Sequence, residues 1–185
     1  MFSLTEIRRS FRAIWLLFRA RPEGLALLDR SMSGFWRSFA VIVLVIPINA
    51  VTMLAVSRTD RSDATAVSLI VDGLPLLLAD WVLFPILLAL AAGPLGVSRT
   101  YVSYVVARNW AAPLAAAVMT LPLVLQGAGW IDGTGMALLS MVALGLILRL
   151  HYLIVRLGLD VAAGFAIGLV VADLLLTLLL VRILA

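Results

Sequence analysis

Five apolar stretches, each near the ~20 residues that cross ~30 Å of hydrocarbon, follow residue 35 with only short polar breaks between them. A 185-residue chain that is 64% hydrophobic and 13% charged has too little interior to hide that much apolar surface, so the bilayer has to take it. In lipid each segment must satisfy its own backbone polar groups. The predicted fold is therefore all-α, a polytopic membrane bundle of five transmembrane helices preceded by an amphipathic interfacial helix. Residues 1–34 read as a cytoplasmic or interfacial helical segment and residues 35–185 as the transmembrane domain.

All fourteen basic residues are arginines, and seven of them precede residue 38. Assigning loops to sides gives eleven arginines on the N-terminal side: Arg8, Arg9, Arg12, Arg19, Arg21, Arg30, Arg37, Arg99, Arg108, Arg149 and Arg156. Only Arg58, Arg61 and Arg182 fall on the other. The positive-inside bias then predicts a cytoplasmic N-terminus and an outward C-terminus. The absence of lysine fits a GC-rich bacterial coding sequence, hence a bacterial inner membrane. No short apolar run ending in a small-residue cleavage site marks a signal peptide. The net charge of +4 flanks apolar segments, which points to anionic lipid headgroups rather than to nucleic acid.

Ser3 and Glu6 have capping-box spacing and predict a helix to about Ala20. Ile7, Phe11, Ile14, Trp15 and Phe18 share one face; Arg8, Arg9, Arg12 and Arg19 take the other and are the expected headgroup contacts. The apolar face is expected to press into the lipid boundary, with packing on protein as the alternative. Pro22 ends this helix, and Glu23 to Ser31 reads as a second short one.

The first span is expected from about Phe35 to Val56. The second starts at Thr65 or Leu74 and ends by Ala92, where Gly93, Pro94 and Gly96 turn the chain. Val97 to Arg108 is expected to be a separate interfacial helix, with the third span from Asn109 to about Leu125. A longer third helix embedding Arg108 is disfavoured, because a central arginine costs roughly 3 kcal/mol even on lenient insertion scales. The fourth span runs from about Thr134 to Leu150, continuing as helix through Arg156, and the fifth fills Val161 to Leu184.

Small residues let membrane helices approach closely. Asn109, Ala112, Ala116 and Thr120 form one such stripe. Gly164, Gly168 and Ala172 form another on the last helix, with Ala162, Ala166, Asp173 and Thr177 on its opposite side, so that helix is expected to pack on two sides. Asn49, Asp72, Asp80 and Asp173 are the intramembrane polar candidates. Asn49, Asp80 and Asp173 can line one track that binds a proton or cation, or can serve as hydrogen-bonded glue, since no intramembrane basic partner is evident.

Catalysis is not expected. Without cysteine there is no thiol nucleophile or iron–sulfur ligand. His151 as sole histidine rules out a multi-histidine metal site and reads as an interfacial residue beside Arg149 and Tyr152. Asp72 and Asp80 would lie ~12 Å apart along a continuous helix and cannot share a metal. Gly93-Pro94-Leu95-Gly96 lacks the lysine–serine pair of a phosphate loop. No cofactor is anticipated.

Tyr101-Val102-Ser103-Tyr104 followed by Arg108-Asn109-Trp110, in a chain with a cytoplasmic N-terminal segment and five closely spaced spans, resembles the Yip-domain family of small polytopic membrane proteins in its bacterial branch. The resemblance covers most of the chain from about Ser31 and implies architecture and no site residue. The expected role is a non-enzymatic scaffold or accessory subunit, acting on lipid and on a second copy or a partner membrane protein. The alternative is a proton- or cation-coupled transporter or channel component using Asp80 and Asp173.

Overall fold

The computed structural model describes residues 3–59 and 66–184. Among them it is helical without strands: α1 (Leu4–Phe18), a 3₁₀ segment Pro22–Leu27, α2 (Met32–Phe39), α3 (Ile42–Thr59), α4 (Ala66–Ala91), α5 (Tyr101–Gly127), α6 (Gly133–Gly158) and α7 (Ala163–Leu184). Five helical stretches are long and apolar enough to cross a membrane: Met32–Arg58, Gly73–Ala91, Tyr101–Gly127, Gly133–Gly158 and Ala163–Leu184.

Local chemistry sets the ends. The Ser3 hydroxyl accepts from the Glu6 N–H at 3.1 Å, so the capping serine opens α1 as its spacing requires. α1 closes on a Schellman pattern, with Ala20 N–H on the Leu17 carbonyl and Arg21 N–H on the Leu16 carbonyl. That closure puts Ala20 at φ +57°, a conformation that favours glycine. The short helix expected over Glu23 to Ser31 is instead a 3₁₀ turn over Pro22–Leu27. Ser31 caps α2 by accepting from Gly34 N–H. A Cβ at Gly34 would lie 2.1 Å from the Asp29 carbonyl oxygen, so only glycine fits there. α2 thus straddles the expected boundary at residue 34.

α5 is the central post, packed by α1, α2, α3 and α6, while α4 and α7 pair beside it. α2–α3 and α5 run parallel, because their contacts climb together in number: Ser38 with Asn109, then Thr52 with Thr120. Thr100 on the α4–α5 turn donates to the Leu159 carbonyl at 2.9 Å, which places the start of α5 and the end of α6 at one end of the bundle. Arg99 and Arg156 lie at that end. Arg58 and Arg182 lie at the other; Arg61 falls outside the described residues.

The expected separation of Val97–Arg108 from the third span does not occur. Tyr101 to Gly127 is one helix, with Arg108 about 10 Å along it at ~1.5 Å per residue. The insertion cost that argued against this parse applies to an isolated arginine, and Arg108 has partners on two other helices.

The apolar face of α1 also finds a different seat. Ala13, Ile14 and Leu17 are fully buried against the bundle formed with α5 and α6. Phe11 meets Trp110 edge-on at 6.4 Å. Protein covers most of the stripe expected to press into lipid, leaving Trp15 exposed.

Candidate functional site

Three helices meet at Arg108: its own α5, α4 and α7. Its guanidinium lies 3.4 Å from the Asp173 carboxylate of α7, reaches the backbone carbonyl of Asp80 on α4 at 3.4 Å, and sits 5.8 Å from the Phe84 ring centroid. Thr177, one turn past Asp173, donates its hydroxyl to the Asp80 carboxylate at 2.6 Å. Both partners of the ion pair are largely buried, with side chains 11% and 16% exposed. Pro85 lies inside α4 and lacks the N–H that the Trp81 carbonyl would receive; the carbonyl that Arg108 reaches is the neighbouring one, of Asp80. Tyr101 donates to the Pro85 carbonyl at 2.8 Å.

Tyr104 and His151 complete the surroundings. Tyr104 is buried one turn before Arg108 and within electrostatic reach of both Arg108 and Asp173. His151 on α6 feels the charges of Arg108 and Asp80. Its ring is thus within electrostatic reach of the cluster, on the same helix as Arg149 and Tyr152. The sequence offered no signal for this beyond its position on a helical face, two turns below the end of α6.

These contacts tie α4 and α7 to the central helix through long polar side chains rather than close backbone approach. One guanidinium faces two carboxylates, so with both acids ionised the cluster carries one net negative charge. Among the described residues, Arg108 Nε and Trp81 Nε1 are buried without a hydrogen-bond partner. No group of three or more metal-ligating side chains is assembled among the described residues.

Asp80 and Asp173 are thus brought together, and the basic partner judged missing is Arg108. Asn49 is not part of this group. It is half-buried on α3, and none of the cluster's hydrogen bonds involves it. Asp72 lies on α4, and its side chain falls outside the described residues.

The two small-residue stripes have opposite fates. Asn109, Ala112, Ala116 and Thr120 face α2 and α3: Asn109 donates to Ser38 at 2.9 Å, and the Thr120 and Thr52 hydroxyls meet at 2.6 Å. Gly164, Gly168 and Ala172 are exposed, and a Cβ added at Gly164 or Gly168 would meet nothing within 4 Å. Among the described residues, the helix packs within the chain on the side bearing Ala166, Asp173, Thr177 and Leu180. Arg8, Arg9, Arg12 and Arg19 are exposed along the outer face of α1.

A second cationic feature emerges on α6. Arg149 donates to the Phe18 carbonyl at the end of α1 and lies over the Phe18 ring at 4.6 Å. A cation at a helix C-terminus suits the dipole there. Compared with protein-family models, curated proteins and solved structures, the chain matches none.

Proposed function

We propose that this chain is a non-enzymatic scaffold or accessory subunit of a membrane assembly, receiving a second transmembrane helix on the Gly164–Gly168–Ala172 face of α7. The observation that carries the reading is the openness of that face. The other small-residue stripe is consumed inside the bundle, whereas this one leaves backbone accessible to close helix approach, the geometry that drives association in lipid. Grouping Arg99 and Arg156 with the arginine-bearing α1 at one end supports a cytoplasmic N-terminus and an outward C-terminus in a bacterial inner membrane. The Yip-like arrangement of spans points to the same class of small interaction protein.

Gly168→Leu tests this cleanly, because nothing within the chain occupies the space the new side chain would fill. Native mass spectrometry of the protein extracted with its surrounding lipid should show a second copy or a foreign subunit on the wild type and its loss in Gly168→Leu. A bare single chain in both spectra refutes the reading.

The cluster around Arg108 favours a second reading, a component of a proton- or cation-coupled transporter or channel. It requires Asp173→Asn to abolish a flux in reconstituted vesicles while assembly persists.

A further inference from the structure

The lipid-facing side of α6 and α7 carries a groove of about 430 Å³. Leu148, Ile167, Val170 and Leu174 make its walls apolar, and Arg149 and Tyr152 line it as well. Arg156, one turn beyond Tyr152, donates to the Tyr152 hydroxyl at 3.2 Å and lies 6.0 Å from its ring. Arg149 spends one N–H on the Phe18 carbonyl, and a guanidinium has five to give. Both arginines are exposed, and among the described residues neither is paired with a carboxylate; the salt bridges there belong to Arg37 and Arg108. Arg19, also exposed, directly follows Phe18 and adds a third cation at the same corner.

We propose that this groove binds one anionic phospholipid, its phosphate held by Arg149 and Arg156 with the Tyr152 hydroxyl between them and an acyl chain laid between α6 and α7. Two unneutralised guanidinium forks beside an apolar channel match a phosphodiester in both charge and geometry. Basic clefts between transmembrane helices are where anionic headgroups gain most. The groove between α4 and α7 supplies an internal contrast. At about 470 Å³ it is as large, but Phe84, Leu88, Leu95, Leu169, Leu176 and its other lining residues are all apolar. It can take an acyl chain without selecting a headgroup.

The groove adjoins the glycine face of α7, but its arginines lie on α6, so the arginine variants leave that face untouched. The test is native mass spectrometry of the full chain equilibrated with mixed vesicles of phosphatidylglycerol and phosphatidylcholine in equal amounts. One phosphatidylglycerol per chain is expected to be retained in preference to phosphatidylcholine. Arg149→Gln and Arg156→Gln should each lower that preference about fivefold. Arg156→Gln leaves the Phe18 contact intact, so its effect does not depend on how α1 is seated. Leu148→Trp, which fills the groove from the α6 side, should release the lipid with every arginine in place. Equal retention of the two lipids by the wild type overturns the proposal, as does an unchanged preference in Arg156→Gln. A second copy found in place of lipid overturns it too, and the same spectrum reads the oligomer separately.

Discussion

Arg108 and Asp173 stand 3.4 Å apart across 65 residues of sequence, joining the central helix to the last. The pair replaces what would otherwise be two lone charges in lipid. Truncating one partner leaves the other buried and uncompensated, whereas removing both at once does not. Arg108→Met alone is expected to cost about 3–5 kcal/mol, and the Arg108→Met/Asp173→Leu double variant to recover most of it. Unfolding in mixed micelles followed for all three variants measures the coupling. Additive losses would show the pair to be energetically idle.

The contact between Thr52 and Thr120 joins α3 to α5 at 2.6 Å. Each hydroxyl also bonds its own helix, Thr52 to the Ile48 carbonyl and Thr120 to the Ala116 carbonyl. Interhelical bonds of this kind average about 0.6 kcal/mol in membranes. Thr120→Val should therefore destabilise the bundle by about that much, with a double-mutant cycle against Thr52→Val returning the same interaction energy.

Ala20 holds a left-handed backbone, φ +57°, at the closing turn of α1. Glycine adopts that conformation without the Cβ penalty, so Ala20→Gly is expected to stabilise the N-terminal segment by about 1 kcal/mol. Hydrogen exchange over residues 10–20 should slow in the variant. Faster exchange there would mean that the flexibility glycine adds to the unfolded chain outweighs the relief.

The Asp29 carboxyl is held below its ordinary 3.8, first by the Ser31 hydroxyl, then by the Ser31 backbone N–H, with Arg37 adding to both. A carboxyl lowered by folding stabilises the fold above its unfolded pKa, and that contribution fades as pH falls through the folded value. Wild type and Asp29→Asn should thus differ in thermal midpoint near neutrality and converge below about pH 4. A constant gap across that range would assign the effect of the substitution to something other than charge.

The spans were legible because an apolar run long enough to cross a bilayer has few other uses, and α3, α4, α6 and α7 lie where hydropathy put them. The start of α5 was not legible. A window along the sequence charges Arg108 its full insertion cost and cannot see Asp173 on a helix two spans later. The seat of α1 was hidden for a different reason: Ile7, Phe11, Ile14 and Phe18 form the same stripe whether lipid or protein covers it. Of the candidate site, both acids were evident from their depth in apolar segments, while Arg108, Tyr104 and His151 entered only once the helices were brought together. Asn49 failed because depth alone says nothing about which way a helix is turned.

The contact between Phe18 and Arg149 spans 131 residues, and it has a consequence for how the protein is made. Chains are synthesised from the N-terminus at about 5–20 residues per second, so α1 leaves the ribosome some 7–26 s before the side chain that caps it. The surface α1 will occupy is made piecemeal over that interval, first by α5 and then by α6. Until α5 and then α6 arrive, the same amphipathic stripe that ends on protein has the headgroup boundary as the apolar seat open to it. The N-terminal helix is thus the first element translated and among the last to reach its final place.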